Sequence, residues 1–193
     1  MTKTCELGAA TLTGPHLSLI PFREEDICAR YVGWLNDPEV NRFLEVRFHP
    51  QTPEMAQAFV RSFYGDVEKY MWGVSLNETR ELVGTATLHT IDRHHGSAEL
   101  GLMIGERTAQ GKRTAVEVIE LVLTFAFDML RLRRITGGTY ATNHPMNFTF
   151  KRVGFRCEAK CLQAYQVSPG TYVDGFRWAL LVEEWQARRR HDA

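Results

Sequence analysis

With 193 residues, 44% of them hydrophobic and 24% charged, the chain is sized for one soluble domain that buries its own core, and no second domain is expected. Lys plus Arg balance Asp plus Glu at 23 each, which removes the global basic field that nucleic-acid binding by counterion release requires. No early apolar run follows a basic start and no apolar run is long enough to span a bilayer, so a cytoplasmic protein with no signal peptide and no membrane contact is expected.

Residues 1–14 are small and polar apart from Leu7 and Leu12, and read as a flexible arm. His16, Leu17, Ser18, Leu19 and Ile20 alternate until Pro21, as a first, edge-tolerant strand does. Residues 23–36 carry Ile27, Tyr31, Trp34 and Leu35 at helical spacing, and Asn36-Asp37-Pro38 stops that helix. Residues 39–50 form a loop or short helix offering Asn41, Arg42, Phe43, Glu45, Arg47 and His49. A solvated connector and a substrate-contacting loop are equally compatible with it. Thr52-Pro53-Glu54 supplies a cap, a first-turn proline and an acidic start for a second helix through Phe59, Val60 and Phe63. Residues 70–76, 81–91 and 97–105 then read as an antiparallel meander.

Residues 115–130 are nearly all apolar, broken only at Glu117, Glu120, Thr124 and Asp128, whose three- and four-residue steps mark a helix with a narrow wet stripe. Residues 135–140 are a further strand and 143–152 a helix. Residues 155–166 and 171–182 form a closing hairpin around Ser168-Pro169-Gly170, and 183–193 a solvated tail. Cys157 and Cys161, four apart on one strand, lie on the order of 13 Å apart at about 3.3 Å per residue, too far to bridge. The histidines His89, His94 and His95 have no carboxylate at metal-site spacing, so no metal is expected.

Between the third meander strand and the apolar helix stands Glu106-Arg107-Thr108-Ala109-Gln110-Gly111-Lys112-Arg113-Thr114-Ala115. A small-residue turn that ends a strand and opens a helix gathers unpaired backbone N–H groups and a positive dipole end, an arrangement that binds phosphate. Neither the Gly-x-Gly-x-x-Gly of dinucleotide sites nor a P-loop is present. The run Gln110 to Ala115 resembles the Gln/Arg-x-x-Gly-x-Gly/Ala signature of the GNAT superfamily of acetyl-CoA-dependent N-acetyltransferases, with Arg113 where the pattern has its middle glycine. Ala98-Glu99-Leu100-Gly101 resembles that family's fourth strand, and Asn143 with Lys151-Arg152-Val153-Gly154-Phe155 resembles its asparagine-led helix and closing Lys-x-Gly-Phe. Trp34-Leu35-Asn36-Asp37-Pro38-Glu39-Val40 is similar to the RimJ/RimL-like branch, an appearance shared by N-acetyltransferases of nucleotide-linked amino sugars.

The resemblance implies an α+β (α/β/α) fold with a mixed, mostly antiparallel sheet of about six to seven strands and helices on both faces, spanning 15–182 as one domain. It implies acetyl-CoA as co-substrate, with backbone groups of Leu102, Met103 and Ile104 holding pantetheine, Gln110, Gly111, Lys112, Arg113, Thr114 and Ala115 holding the pyrophosphate, and Asn143 meeting the pantetheine or the strand end. Helices one and two flank the acceptor groove, which nominates Asn41, Phe43, Arg47 and His49. Glu99 shares a strand face with Gly101, Met103 and Gly105, off the aliphatic face, and is the candidate base, His94 or His95 being the alternatives. Phe150 stands where many members carry a tyrosine acid, and Tyr140 is a possible substitute. A thiol with a pKa of about 8.5 can leave as thiolate near neutral pH. The acceptor is a nucleotide-linked amino sugar or other small amine, or else a protein N-terminus as in the RimJ/RimL type. A non-catalytic acyl-CoA-binding module is the alternative from another class, and a homodimer is compatible with the family.

Overall fold

The computed structural model describes residues 10–63, 69–111 and 113–191. Eight strands form one sheet in the order β1-β2-β3-β4-β5-β6-β8-β7: β1 (Leu12–Thr13), β2 (Leu17–Pro21), β3 (Tyr70–Leu76), β4 (Leu82–Asp92), β5 (Ser97–Ile104), β6 (Arg134–Tyr140), β7 (Arg156–Ser168) and β8 (Thr171–Leu181). The strand beyond the expected seven is β1, which pairs Leu12 with Leu19 at the end of the N-terminal segment. Every pairing is antiparallel except β5 with β6, which is parallel and covers only Ser97↔Arg134, Ala98↔Ile135 and Glu99↔Thr136.

Helices α4 (Thr114–Thr124) and α5 (His144–Val153) cover one face. Their Val118, Ile119, Val122, Leu123, Phe150 and Val153 pack with Leu19, Trp72, Leu88, Leu100, Ile135 and Trp178. Each fully buried aliphatic contributes about 1.5–3 kcal/mol over exposure, so a helix as apolar as α4 is stable only in this position. Helices α1 (Ala29–Asn36) and α3 (Pro53–Arg61) cover the other face, where Phe22, Tyr31, Trp34, Leu35, Ala56 and Val60 close over Met71 and Met103. A short α2 (Pro38–Asn41), capped by Asp37, follows α1, and α6 (Val182–His191) ends the described chain with Trp185 buried.

Two helices are shorter than their hydrophobic spacing predicts. The first is a 3-10 turn at Glu24–Asp26 followed by α1, because the Asp26 carboxylate accepts the Arg23 N–H at 2.7 Å and closes a local turn in competition with helix. The apolar helix leaves α geometry after Thr124 for a π turn at Phe125–Met129, in which the Leu130 N–H reaches back to the Phe125 carbonyl. The wide turn delivers Phe125 edge-on to Tyr70 and Trp72, with centroids 5.0 and 5.2 Å away. The stripe residue Glu117 is not merely solvated. Its carboxylate accepts the N–H groups of His16 (2.8 Å) and Leu17 (3.1 Å) and ties β2 to α4. The cap expected at Thr52 is present, its hydroxyl accepting the Met55 N–H at 3.3 Å.

Gly105, just past β5, is where α1 meets the strand: a Cβ built there falls 2.0 Å from Trp34 Cδ2. Overpacking of this kind costs about 2 kcal/mol. A Gly105→Ala variant is therefore expected to melt roughly 4–8 °C below the parent protein, as read by thermal denaturation, and a Tm within one degree of the parent's would refute the contact.

Candidate active site between β5 and β6

Pairing of β5 with β6 ends at Glu99↔Thr136, while β4 continues beside β5 as far as Gly84↔Ile104 and β8 beside β6 as far as Tyr140↔Gly175. The two inner strands part at this point, and a cavity of about 520 Å³ opens between them. Leu102, Met103 and Ile104 line it with no β6 partner for their backbone groups on that side. Segments of this kind accept an extended guest as an added strand.

One end of the cavity is the loop that joins β5 to α4. The N–H groups of Gly105 and Glu106 both donate to the Val83 carbonyl, at 2.9 and 3.0 Å, and turn the chain out of the sheet. Gln110, expected at the phosphate, donates its side-chain amide to the Ile104 carbonyl at 2.9 Å, so it also pins the loop to the strand end. Gly111 has a φ of 75° and open space where a side chain would be. Arg113 caps α4 with a φ of 64°, a left-handed conformation costing about 1–2 kcal/mol for a residue with a Cβ. This explains a pattern that places glycine there. Gly111, Arg113, Thr114 and Ala115 all line the cavity, so the first turn of α4, whose N–H groups have no partner within the helix, borders it. Lys112 lies outside the described residues. Asn143 lines the far wall, and its side chain caps α5 by accepting the Met146 N–H at 3.2 Å.

The other end lies on the α1 face. Glu99 is half-buried there and pairs with Arg177 of β8, Oε1 to Nη1 3.3 Å. Gly138 of β6 keeps the space open, since a Cβ there would approach Arg177 Nη1 (3.2 Å), the Tyr165 hydroxyl (3.3 Å) and Glu99 Oε1 (3.7 Å). His89 stands opposite Glu99 in the β4–β5 register and lines the same cavity. Burial holds its imidazole below the ordinary value, a nearby Lys69 adds to this, and Glu99 opposes it. Tyr140 stacks on Tyr165 with centroids 4.1 Å apart and donates its hydroxyl to Glu45 Oε1 at 2.7 Å. Burial first, and the bond to the Glu45 carboxylate second, push its pKa up, so its proton is held rather than offered. Burial likewise raises Tyr165. Phe150 is buried against Phe155 and Trp178. The exposed His94 and His95 sit in the β4–β5 turn and do not line the cavity.

The four residues nominated for the acceptor are divided. Phe43 lines both this cavity and a neighbouring hollow of about 590 Å³ that Asn41, Arg47 and His49 also line. The buried Asn41 spends its amide on the Leu35 carbonyl, 2.8 Å away. Arg47 donates to the carbonyls of Arg42 and Gln166 and lies against the rings of Phe48 (4.7 Å) and Tyr140 (5.0 Å). These two amide and guanidinium groups brace the rim, while the half-buried Phe43 packs on Tyr140 with the Arg42 guanidinium over its ring and His49 is exposed. His89, Tyr165, Arg177 and Gly138 were not singled out by the spacing of residues. Only the small pair Gly137-Gly138 inside a strand signals close approach in the sequence.

Comparison with known proteins agrees with this fold. A family model described as an acetyltransferase (GNAT) domain matches residues 16–156. The uncharacterized N-acetyltransferase YoaA of Bacillus subtilis is 30% identical over 162 residues, which are 82% of this chain and 89% of that protein. Alpha/beta-tubulin-N-acetyltransferase 9 of Homo sapiens is 24% identical over 155 residues, 75% of this chain and 74% of that protein. A crystal structure of spermidine N-acetyltransferase from Vibrio cholerae, in complex with CoA and spermine, superposes with a TM-score of 0.79 at 21% identity, covering 88% of this chain and 98% of that one. The chain belongs to the GNAT family of acetyltransferases and is an N-acetyltransferase.

Proposed function

We propose that the protein transfers acetyl from acetyl-CoA to a primary amine by direct attack in a ternary complex. The observation that carries this reading is one continuous cavity joining a phosphate-type loop on the α4 face to a carboxylate and an imidazole on the α1 face. The residues fit the coenzyme: a strand edge without a partner suits pantetheine, the loop at Gly111 has open space at its apex, and Arg113 adds a guanidinium. When bound, acetyl-CoA supplies the activated acetyl group.

The chain's own residues do the rest. Leu102, Met103 and Ile104 orient the thioester through backbone groups, one N–H of which faces the developing oxyanion. Glu99, kept in place by Arg177, takes a proton from nitrogen as the amide forms. Phe150 offers no proton where many family members carry a tyrosine acid, which supports departure of the sulfur as thiolate.

For the acceptor we favour a small polar amine, a nucleotide-linked amino sugar included. The hollow beyond Phe43 offers Arg42 and His49 to phosphate or sugar, and supports a ligand larger than a simple alkylamine. A RimJ/RimL-like action on a protein N-terminus is the second reading, favoured by the similarity to a tubulin N-acetyltransferase.

Labelled acetyl-CoA offered with a pool of small amines and a pool of N-terminal peptides is expected to label the first, and label confined to peptides would overturn that choice. Glu99→Gln is expected to lose about 10²-fold in kcat with unchanged calorimetric affinity for acetyl-CoA. Wild type that binds the coenzyme but acetylates no amine would instead support a non-catalytic module. Gly111→Pro cannot adopt a φ of 75° and is expected to abolish acetyl-CoA binding. Arg113→Gly is expected to raise stability by less than about 1 kcal/mol, because relief of left-handed strain exceeds glycine's entropy cost. The same change should weaken coenzyme binding about tenfold through the lost charged hydrogen bond. Unaltered affinity in both loop variants would remove the loop from the site.

A further inference from the structure

The β4–β5 ladder is regular as far as His89↔Glu99 and then jumps to Asp92↔Ser97. Within the jump Thr90 has a φ of 52°. A β-branched residue rarely adopts that conformation, at a cost on the order of 1–3 kcal/mol, and such strain gathers at functional sites. The side chain next to this bulge is His89, which keeps the regular register and so shares a strand face with Glu99 and borders the cavity. Its Nδ1 lies 3.0 Å from the Thr90 hydroxyl. Its Nε2 is turned to the cavity, 3.7 Å from where a Cβ on Gly101 would stand. The bulge, the strained threonine and the hydroxyl contact together hold one imidazole beside Glu99.

An alkylammonium that becomes an amide gives up two protons, and Glu99 accounts for one of them. We infer that His89 Nε2 accepts the other, taken from the incoming ammonium before attack, with Thr90 as the positioning residue that holds the Nδ1–H. The inference rests on the amine-acetylation reading above. In sequence, the proton passes from ammonium to Nε2, freeing the nitrogen lone pair, and the C–N bond forms at the thioester carbonyl. The C–S bond then breaks with its electron pair on sulfur, and Glu99 takes the second proton from the now acidic nitrogen.

Charged groups around the ring are Glu99 from β5, with Arg177 of β8 upon it, Lys69 ahead of β3, and Glu39 and Arg42 across the cavity. Burial keeps the imidazole neutral near pH 7. The rate therefore falls as pH drops through a value below 6.5, where Nε2 becomes protonated and can accept nothing.

Two measurements test this. Ring nitrogen NMR of the wild-type protein without ligands is expected to show the proton on Nδ1 of His89 near pH 7.5, with that tautomer preference lost in Thr90→Val and kept in Thr90→Ser. Kinetically, His89→Gln is expected to lower kcat at least about 10²-fold and to remove the acid limb of the pH profile, with acetyl-CoA affinity unchanged, and Thr90→Val to lower kcat about tenfold. A proton on Nε2 in the wild type, or a His89→Gln enzyme with wild-type kcat and acid limb, overturns the role of His89 alone. Wild type that binds no acetyl-CoA overturns the transferase reading and this role with it.

Discussion

The parting of β5 from β6 after three paired residues is the constraint on which the rest of the molecule depends. A continuous sheet separates its two faces completely; a sheet opened between two inner strands connects them. Here the opening lets a loop at the head of α4, on one face, and Glu99 and His89, on the other, border the same cavity. Neither strand is left weak by it, because β4 supports β5 and β8 supports β6 along almost their whole lengths. The apolar cluster under α4 and α5 joins both halves of the sheet on one face, while that under α1 and α3 backs only the β2–β5 half on the other.

Around the opening, charge is used for position more than for stability. The Glu99–Arg177 pair is partly solvated, as is the link between Tyr140 and Glu45, and such pairs are worth about 1 kcal/mol or less. Their value is geometric. Arg177 fixes the carboxylate against Gly138, and Glu45 draws the loop after α2 onto β6. Arg47, engaged by two carbonyls and two rings, fastens that loop to β7. A rim braced in this way needs little reorganisation when a substrate arrives.

What could be read from residues alone was whatever local chemistry dictates. Period-2 alternation identified β5, a Thr-Pro-Glu start identified α3, and Asn143 announced the cap of α5. The carboxylate of Glu99 was legible because alternation placed it among small residues. Its partner was not, since Arg177 lies 78 residues away and meets it only through two sheet crossovers. His89 was visible only as an isolated histidine near a turn. Its ring is met by the hydroxyl of Thr90, whose backbone conformation no propensity favours. Arg47 was nominated for the acceptor groove for the opposite reason: side-chain type reports what a group can bind, while the fold decides whether it is already bound.

Arg113 and Phe150 both depart from the family pattern, and the structure separates their consequences. At Arg113 the departure costs conformational energy but preserves the turn, because the left-handed geometry that glycine would adopt freely is kept. At Phe150 the departure is built into the core. Its para carbon, where a tyrosine would carry a hydroxyl, is the atom nearest the Cβ position of Gly137, at 2.5 Å, and the side chain is 1% exposed. An acid at that position would press on the β6 backbone beside the opening that makes the site. The proposed chemistry therefore relies on two proton acceptors at the nitrogen and on the intrinsic leaving ability of a thiolate, which places its proton transfers on the amine side of the cavity.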